Sequence, residues 1–185
     1  AQRAQPLTGA TPLWPAVLEA LILIDKHSPP MTPLSIGPTE VFAMSSLVAA
    51  IDPTRESLAR FVAEVPSGQP VLMLNLLRFR EQAGYGAEHS AAPCSGREAY
   101  AEYSRQVLPL LHDVGGQIFW LGKAHCAVIA PAGEDWDEVL LVKYPHKEAF
   151  LQMIQSPAYR AIVHHRTAAL ADSRLVATTE APVSA

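Results

Sequence analysis

Hydrophobic residues recur at two spacings along the chain, and the order of those spacings predicts the fold. Apolar residues three or four positions apart indicate helices, whereas short apolar or alternating runs indicate strands. A first helix is predicted from Asp52, which can cap it with Pro53 at its first position, to Val65. The apolar run VLMLNLLRF, residues 71–79, is then typical of a central strand.

The remaining pattern continues this alternation of strands and helices. After a helix that opens at Ser95 or Gly96, it predicts strands over 116–130 and 136–145, a helix over 146–154 that restarts at Pro157 and runs to Ala169, and a strand over 173–179. From residue 71 the order is strand, helix, strand, strand, helix, strand. This order predicts an α+β, ferredoxin-like βαββαβ fold with a four-stranded antiparallel sheet.

The predicted sheet has a face that its own helices leave uncovered. Both helices of such a fold pack on one side, so the opposite side needs another partner. Two sheets that pack face to face bury these surfaces together. We therefore expect a homodimer built as a dimeric α+β barrel.

The segments outside this pattern are assigned by composition. Residues 1–43 are rich in Pro and are expected to be an extension with one short helix, 44–180 a single domain, and 181–185 a tail. Residues 80–96, small and aperiodic, are expected to form a loop that is long enough to act as a lid.

The composition of the chain narrows the choice of partners and compartment. The formal net charge is -4 at pH 7, so no nucleic acid partner is expected. No apolar run reaches the roughly 18 residues that cross a bilayer, so no membrane segment is expected. Cys94 and Cys126 have neither metal-type spacing nor a disulfide-rich context, which favours a reducing, cytoplasmic location.

Several blocks of sequence resemble a known bacterial family. The blocks are LMLNLLRFR, AYAEY, GGQIFWLG and WDEVLLVKYPHKEAFLQMIQSPAYRAIVHHRTAALADSRL, within residues 52–179. On these the chain resembles the domain-of-unknown-function family numbered 1330, in the dimeric α+β barrel superfamily. The resemblance implies a ferredoxin-like subunit and a homodimer, but no particular reaction. Residues 81–96 and those before Met44 depart from the family pattern.

Asn75 places an amide inside an otherwise apolar strand. Alternation puts it on one face with Val71, Met73 and Leu77, where an unpaired amide would cost about 1–3 kcal/mol. It is either a core amide bonded to neighbouring backbone or a polar group that fixes the carbonyl or carboxylate of a ligand in an apolar cavity. The family resemblance slightly favours the cavity.

Other ligand-binding candidates are cationic or aromatic. Arg78 and Arg166 are able to hold a carboxylate through paired hydrogen bonds, or to form ion pairs with Asp137 or Glu138. An aromatic set is predicted to line a pocket, or else to belong to the core or the dimer interface. Its members are Tyr100, Tyr103, Trp120, Trp136, Tyr144 and Tyr159.

His125, placed in the second predicted strand, is the best single acid/base candidate among seven histidines, although a structural role is the alternative. His164 and His165 point about 100° apart on a helix, so they cannot bind one metal ion as an i, i+4 pair does. No nucleophile motif and no phosphate-binding loop is recognisable. We expect no metal and no cofactor.

Two hypotheses about function follow. In the first, the chain is a small-molecule enzyme that needs no cofactor and performs proton transfer or oxidation on an organic acid or aromatic compound. Asn75 and Arg78, with Tyr100, Trp120, Tyr144 and Arg166, would bind the substrate, and His125 or Tyr103 would move the proton. In the second, the same residues belong to a non-catalytic homodimer that binds or senses a small ligand.

Overall fold

A four-stranded sheet with helices on one face forms the part of the chain that the computed structural model describes, residues 49–86 and 92–182. In chain order the elements are α1 (Arg55–Glu64), β1 (Val71–Phe79), α2 (Gly96–Asp113), β2 (Gln117–Lys123), β3 (Glu138–Tyr144), α3 (Lys147–Gln155), α4 (Pro157–Ala169) and β4 (Leu170–Thr178). The strands lie in the order β2-β3-β1-β4, each antiparallel to its neighbours. The predicted α+β, ferredoxin-like fold is confirmed. The extension predicted over residues 1–43 lies outside the described residues.

Helix α1 begins later than its sequence predicted. Thr54, not Asp52, is the N-cap, because its hydroxyl accepts a hydrogen bond from the Ser57 amide at 3.0 Å and its own amide donates to the Ser57 hydroxyl. The Asp52 carboxylate instead accepts from the Thr167 hydroxyl at 3.1 Å. The prediction of Asp52 as the cap was wrong since its side chain bonds to α4.

Strand β1 lies between β3 and β4 and is apolar on both faces, as a central strand should be. On one face, Val71 and Met73 pack with Leu111, Phe150 and Met153 from the helices. Further along that face, Leu77 belongs to a second buried cluster formed with residues of α2 and α4. The helix side of the sheet is therefore the core.

The opposite face of the sheet, which we call the open face, is also apolar. Directly paired residues of antiparallel strands share a face, and this register places Leu72, Leu74, Leu76, Val139, Leu141, Trp120 and Val176 together. Trp120 is 50% exposed and Val176 48% exposed. The same register places the charged residues Lys143, Arg174 and Arg78 around these apolar side chains. An apolar surface of this kind with a charged border usually marks a contact with another molecule.

The second strand is shorter than predicted. It ends at Lys123, and residues 124–137 connect it to β3. The prediction of a strand to residue 130 was wrong, because Val128 and Ile129 are almost fully exposed and pair with no neighbouring strand in the described chain. Asp137 anchors the end of the connection, since its carboxylate accepts from the Phe79 amide at 2.7 Å and its amide donates to the Leu77 carbonyl.

No helix in the described ranges is both long enough and apolar enough to cross a membrane.

Candidate functional site

Four tyrosines converge on the helix side of the sheet. Tyr100 and Tyr103 lie one turn apart on α2 with ring centroids 5.5 Å apart, and the Tyr103 hydroxyl donates to the Tyr159 hydroxyl at 3.3 Å. Tyr144, from β3, is buried on the same side; burial raises its pKa, and the nearby Tyr159 and Tyr100 raise it further. The structure thus brings together four members of the predicted aromatic set, Tyr100, Tyr103, Tyr144 and Tyr159.

A buried carboxyl group lies at the edge of this tyrosine cluster. Glu138, the first residue of β3, is 2% exposed, and its Oε1 atom has no hydrogen-bond partner in the described chain. Its Oε2 atom accepts one hydrogen bond from Nη1 of Arg97, the second residue of α2, at 3.4 Å. That distance is at the long end of the hydrogen-bond range, so the pair is held loosely.

The electrostatics of the site follow from its burial. Burial raises the pKa of Glu138, and the Arg97 guanidinium partly opposes this. Burial also raises the pKa of Tyr100. The positive charge of Arg166 partly opposes this rise, and the negative charge of Glu138 adds to it. The Tyr100 hydroxyl, which makes no hydrogen bond to another described residue, stays protonated near neutral pH and can donate a hydrogen bond to a ligand.

Asn75 is a satisfied donor with an unused acceptor. Its Nδ2 atom donates to the carbonyls of Met73 at 3.1 Å and Leu140 at 3.2 Å, which fixes the orientation of the amide. Its Oδ1 atom accepts no hydrogen bond from the described residues. Asn75 lies between Met73 and Leu77, where the two core clusters meet. The bonded nitrogen therefore supports the interpretation of Asn75 as a core amide, and the unbonded oxygen supports its interpretation as a ligand-binding group.

The two predicted arginines have structural partners. Arg166 is buried and donates to the Ile51 carbonyl at 2.6 Å and the Ser173 hydroxyl at 3.2 Å, so its guanidinium ties α4 to β4 and to the start of the domain. Arg78 lies on the open face and pairs with Asp172 at 3.5 Å. The predicted ion pairs of Arg78 with Asp137 or Glu138 are wrong, because those two side chains bond to Phe79 and Arg97.

Two further predicted site residues lie apart from the tyrosines. Trp120 is on the open face, opposite Leu141, and therefore on the other side of the sheet. His125 is exposed in the connection after β2, so its predicted position within a strand was wrong. The structure does not bring either residue to the tyrosine cluster.

The two ends of the loop over 80–96 are tied to the body of the domain. The Ala83 amide donates to the Cys94 carbonyl and the Gly84 amide to the Ala168 carbonyl, both at 2.9 Å. The Tyr85 hydroxyl lies 2.7 Å from Nδ1 of His165. The lid role proposed from the sequence concerns residues 87–91 as well, which lie outside the described ranges.

Metal binding has no evident site in the described chain. No group of three or more His, Cys, Asp or Glu side chains is arranged there to hold a metal ion. The rings of His164 and His165 stack with centroids 4.0 Å apart on α4.

Sequence reasoning treated Glu138 only as a possible ion-pair partner of Arg78 or Arg166 and did not single out Arg97. One available signal was strand alternation, which puts Glu138 on the same face of β3 as Leu140, Val142 and Tyr144. A carboxylate on the buried face of an apolar strand is costly unless it is paired or functional. For Arg97 no comparable signal exists, since its partner is 41 residues away.

We expect the raised pKa of Glu138 to make stability depend on pH. The folded state keeps this proton to a higher pH than the unfolded state, so it binds more protons between the two pKa values, and stability falls as pH rises through that window. The free energy of unfolding of Glu138→Gln, minus that of the wild type, should therefore increase as the pH rises above about 4.3. Urea unfolding from pH 4 to 8 measures this difference.

The matched control is Glu98→Gln. Hydrogen bonds from Ser95 lower the pKa of Glu98, so the folded state releases that proton first and the carboxylate stabilises the fold above the unfolded pKa. The Glu98→Gln difference should therefore have the opposite sign of slope, at pH values below about 5, so the unfolding series for this control is extended to about pH 3. A difference for Glu138→Gln that stays flat across the range would contradict a raised pKa.

Comparison with known proteins places this domain in a family. The model of the domain of unknown function DUF1330 matches residues 93–179. A search of the curated proteins found no match.

Solved structures give longer matches. The crystal structure of methylated RPA0582 protein is 39% identical with a TM-score of 0.68, over 75% of this chain and 100% of that one. RPA0582 from Rhodopseudomonas palustris, a protein of unknown function, is 40% identical with a TM-score of 0.66, over 73% of this chain and 99% of that one. A ferredoxin-like protein from Bacteroides fragilis, described as dimeric and of unknown function, is 13% identical with a TM-score of 0.37, over 59% and 94%. With a relative of 39% identity covered over its whole length, this chain belongs to the DUF1330 family.

Proposed function

We propose that this protein is a homodimeric small-molecule enzyme that transfers protons on an organic acid or aromatic compound without a cofactor, with Glu138 as the acid/base group. One observation carries the proposal: the buried carboxyl of Glu138 has an oxygen that no described side chain or backbone group bonds. A buried polar atom without a partner is costly, by about 1–3 kcal/mol. Such an atom is typical of a group kept for chemistry.

The surroundings of Glu138 suit proton transfer. Leu77 lies directly across from it on β1 and is fully buried, and Phe79 stacks edge-on against Tyr100 beside it. These apolar groups raise the basicity of the carboxylate. The Tyr100 hydroxyl and the Arg97 guanidinium supply donors for negative charge that develops on a substrate oxygen.

The assignment of Glu138 replaces the expectation from sequence that His125 or Tyr103 moves the proton. Tyr103 donates its hydroxyl hydrogen to Tyr159, and burial keeps its pKa well above the ordinary value, so we assign it to the wall of the site. His125 is exposed and away from the tyrosines. Glu138 combines burial, a free oxygen and a nearby donor, which neither of the other two residues does.

The homodimer is proposed from the open face. Leu72, Leu74 and Leu76 of the central strand form its middle, and Trp120 and Val176 extend it to both sides. A second copy of the same sheet matches this surface in size and polarity, and a symmetric pair buries both apolar faces at once.

Cys94 and Cys126 are both free thiols, which supports a reducing compartment such as the cytoplasm.

A second candidate function is non-catalytic binding of a small ligand. The observation that favours it is the Oδ1 atom of Asn75, an unused acceptor held rigidly by two hydrogen bonds on the amide nitrogen. A ligand N–H or O–H group would satisfy it. In this case the protein would retain a molecule through purification, visible by native mass spectrometry, but would never change it.

Hydrogen–deuterium exchange tests the enzyme proposal without knowledge of the final product. We expect the wild type to accelerate exchange of acidic C–H groups in at least one member of a panel of small oxo acids and phenols in D2O, followed by NMR. Glu138→Gln should lower that rate by about 10²–10⁴-fold, the usual contribution of a general base. The exposed Glu148→Gln variant, at the first turn of α3, should keep it. Undiminished exchange in Glu138→Gln would refute the role of this carboxyl.

A further inference from the structure

Arg97 has more hydrogen-bonding capacity than it uses. Its side chain is 21% exposed, and its guanidinium lies 4.6 Å from the centroid of the Phe79 ring. The 3.4 Å contact with Glu138 is its one hydrogen bond to the described residues. A guanidinium has five N–H donors in a planar fork. Four of the five are therefore available to a ligand that approaches Glu138.

Other arginines near the domain core are occupied differently. Arg166 bonds to backbone and to Ser173, Arg80 donates to the Leu170 carbonyl at 2.9 Å, and Arg78 and Arg174 share Asp172 on the open face. Arg97 is different because the buried carboxyl that it contacts, Glu138, keeps one oxygen without a partner in the described chain, whereas both carboxylate oxygens of Asp172 have partners. Its stacking on Phe79 holds the guanidinium plane in place while four of its N–H groups remain unused among the described residues.

From this geometry we infer that the site takes 2-oxo acids, whose carboxylate Arg97 binds while Glu138 removes a proton from the carbon next to the carbonyl. The inference rests on the proton-transfer function proposed above and names its substrate class. A planar guanidinium fork matches a carboxylate with two parallel hydrogen bonds. In a 2-oxo acid the carbonyl is adjacent to that carboxylate, which brings the carbonyl oxygen to the donors of Arg97 and Tyr100.

The proposed step is balanced within the site. The C–H bond breaks and its proton forms an O–H bond with the free oxygen of Glu138. The C–H electron pair forms a carbon–carbon double bond, and the carbonyl electrons move to oxygen, where Tyr100 and Arg97 donate hydrogen bonds. Glu138 then returns the proton to the enolate oxygen, which gives the enol, so no oxidant, reductant or second substrate is required.

Binding and basicity are coupled through Arg97. A substrate carboxylate that binds the unused donors of Arg97 partly neutralises the guanidinium, which contacts Glu138 at 3.4 Å. Glu138 is then stabilised less by positive charge and becomes a stronger base when the substrate binds. The other charged or titratable groups beside it are Tyr100, Lys123 and Asp137.

Isothermal titration of the full chain with phenylpyruvate and with phenylacetone, which lacks the carboxylate, tests the inference. We expect phenylpyruvate to bind at least ten-fold more tightly to the wild type, and Arg97→Met to abolish this preference. Arg97→Lys, which keeps the charge but not the fork, should restore only part of it. Arg105→Met is the control, since Arg105 is an exposed arginine of the same helix paired with Glu102. Circular dichroism melting verifies that each variant is folded.

The outcomes separate this inference from the proposed function. Equal binding of the two compounds, no binding of phenylpyruvate at millimolar concentration, or an unchanged preference in Arg97→Met would each overturn the 2-oxo acid class. The proton-transfer function would survive any of these results if Glu138→Gln still abolished exchange of another substrate in D2O. Conversely, a carboxylate preference that depends on Arg97, without accelerated enolisation of phenylpyruvate at 300 nm, would support the ligand class and reject the catalytic step.

Discussion

Replacement of Gly96 by alanine should destabilise the folded domain by about 3 kcal/mol or more. A Cβ atom at this position would lie 2.5 Å from the carbonyl oxygen and 2.7 Å from the amide nitrogen of Arg80, and it would also clash with the carbonyl oxygen of Ala169. All three atoms belong to backbone and cannot rotate away. The strain is therefore expected to exceed the gain of about 1 kcal/mol that alanine normally brings to a helix.

The reason lies in how the chain after β1 meets the start of α2 and the end of α4. The Gly96 amide donates to the Arg80 carbonyl at 3.0 Å, and the Arg80 amide donates to the Ala169 carbonyl at 2.9 Å. These two bonds bring three backbone segments into contact, and the adjacent Arg97 is positioned by the same contact. A shift of the helix start would move Arg97 relative to Glu138, so loss of stability and loss of the proposed site should occur together.

Thermal and urea unfolding measure this effect, with Gly84→Ala as the matched control. A Cβ atom at Gly84 would meet only the flexible side chain of Arg80, at 3.5 Å or more, so that variant should stay within about 0.5 kcal/mol of the wild type. A Gly96→Ala variant as stable as Gly84→Ala would contradict the close backbone packing described at the start of α2.

Much of the fold was predictable because hydrophobic spacing and capping residues are local signals. The Pro157 restart, the central position of strand 71–79 and the order of the strands all follow from short segments. Errors arose where the deciding contact is distant in sequence. Asp52 fails to cap α1 because its carboxylate bonds to Thr167. The exposed residues Val128 and Ile129 fit the pattern of a strand, although no strand of the described ranges pairs with them.

The candidate site was only partly predictable for the same reason. Tyr100 and Tyr103 were identified from helical periodicity, because their common face is a property of one helix. The environment of Glu138 depends instead on Arg97 and Leu77, which come from two other elements. Trp120 was assigned to the pocket but lies on the open face. A strand residue has two possible faces, and the sequence alone did not decide which one Trp120 takes.

Leu74→Glu is expected to convert the proposed dimer into monomers. Leu74 lies at the middle of the open face, paired with Leu141 on one side and Val176 on the other. In a symmetric dimer the substitution places two carboxylates in the apolar interface, at several kcal/mol for each ion. Association should then weaken by about 10³-fold or more, whereas the isolated subunit, in which this face meets water, should remain folded.

Sedimentation velocity over a range of protein concentrations measures the change, and Val62→Glu provides the control. Val62 is an exposed apolar residue, 47% accessible on α1 and away from the sheet, so its replacement should leave association unchanged. A wild type that sediments as a monomer, or a Leu74→Glu variant that dimerises as tightly as the wild type, would contradict burial of the open face. Glu138 and Arg97 lie on the helix side of the sheet, away from this substitution. A monomeric Leu74→Glu variant therefore also shows whether the proposed chemistry needs the second subunit. If proton exchange persists in the monomer, the whole site lies within one chain.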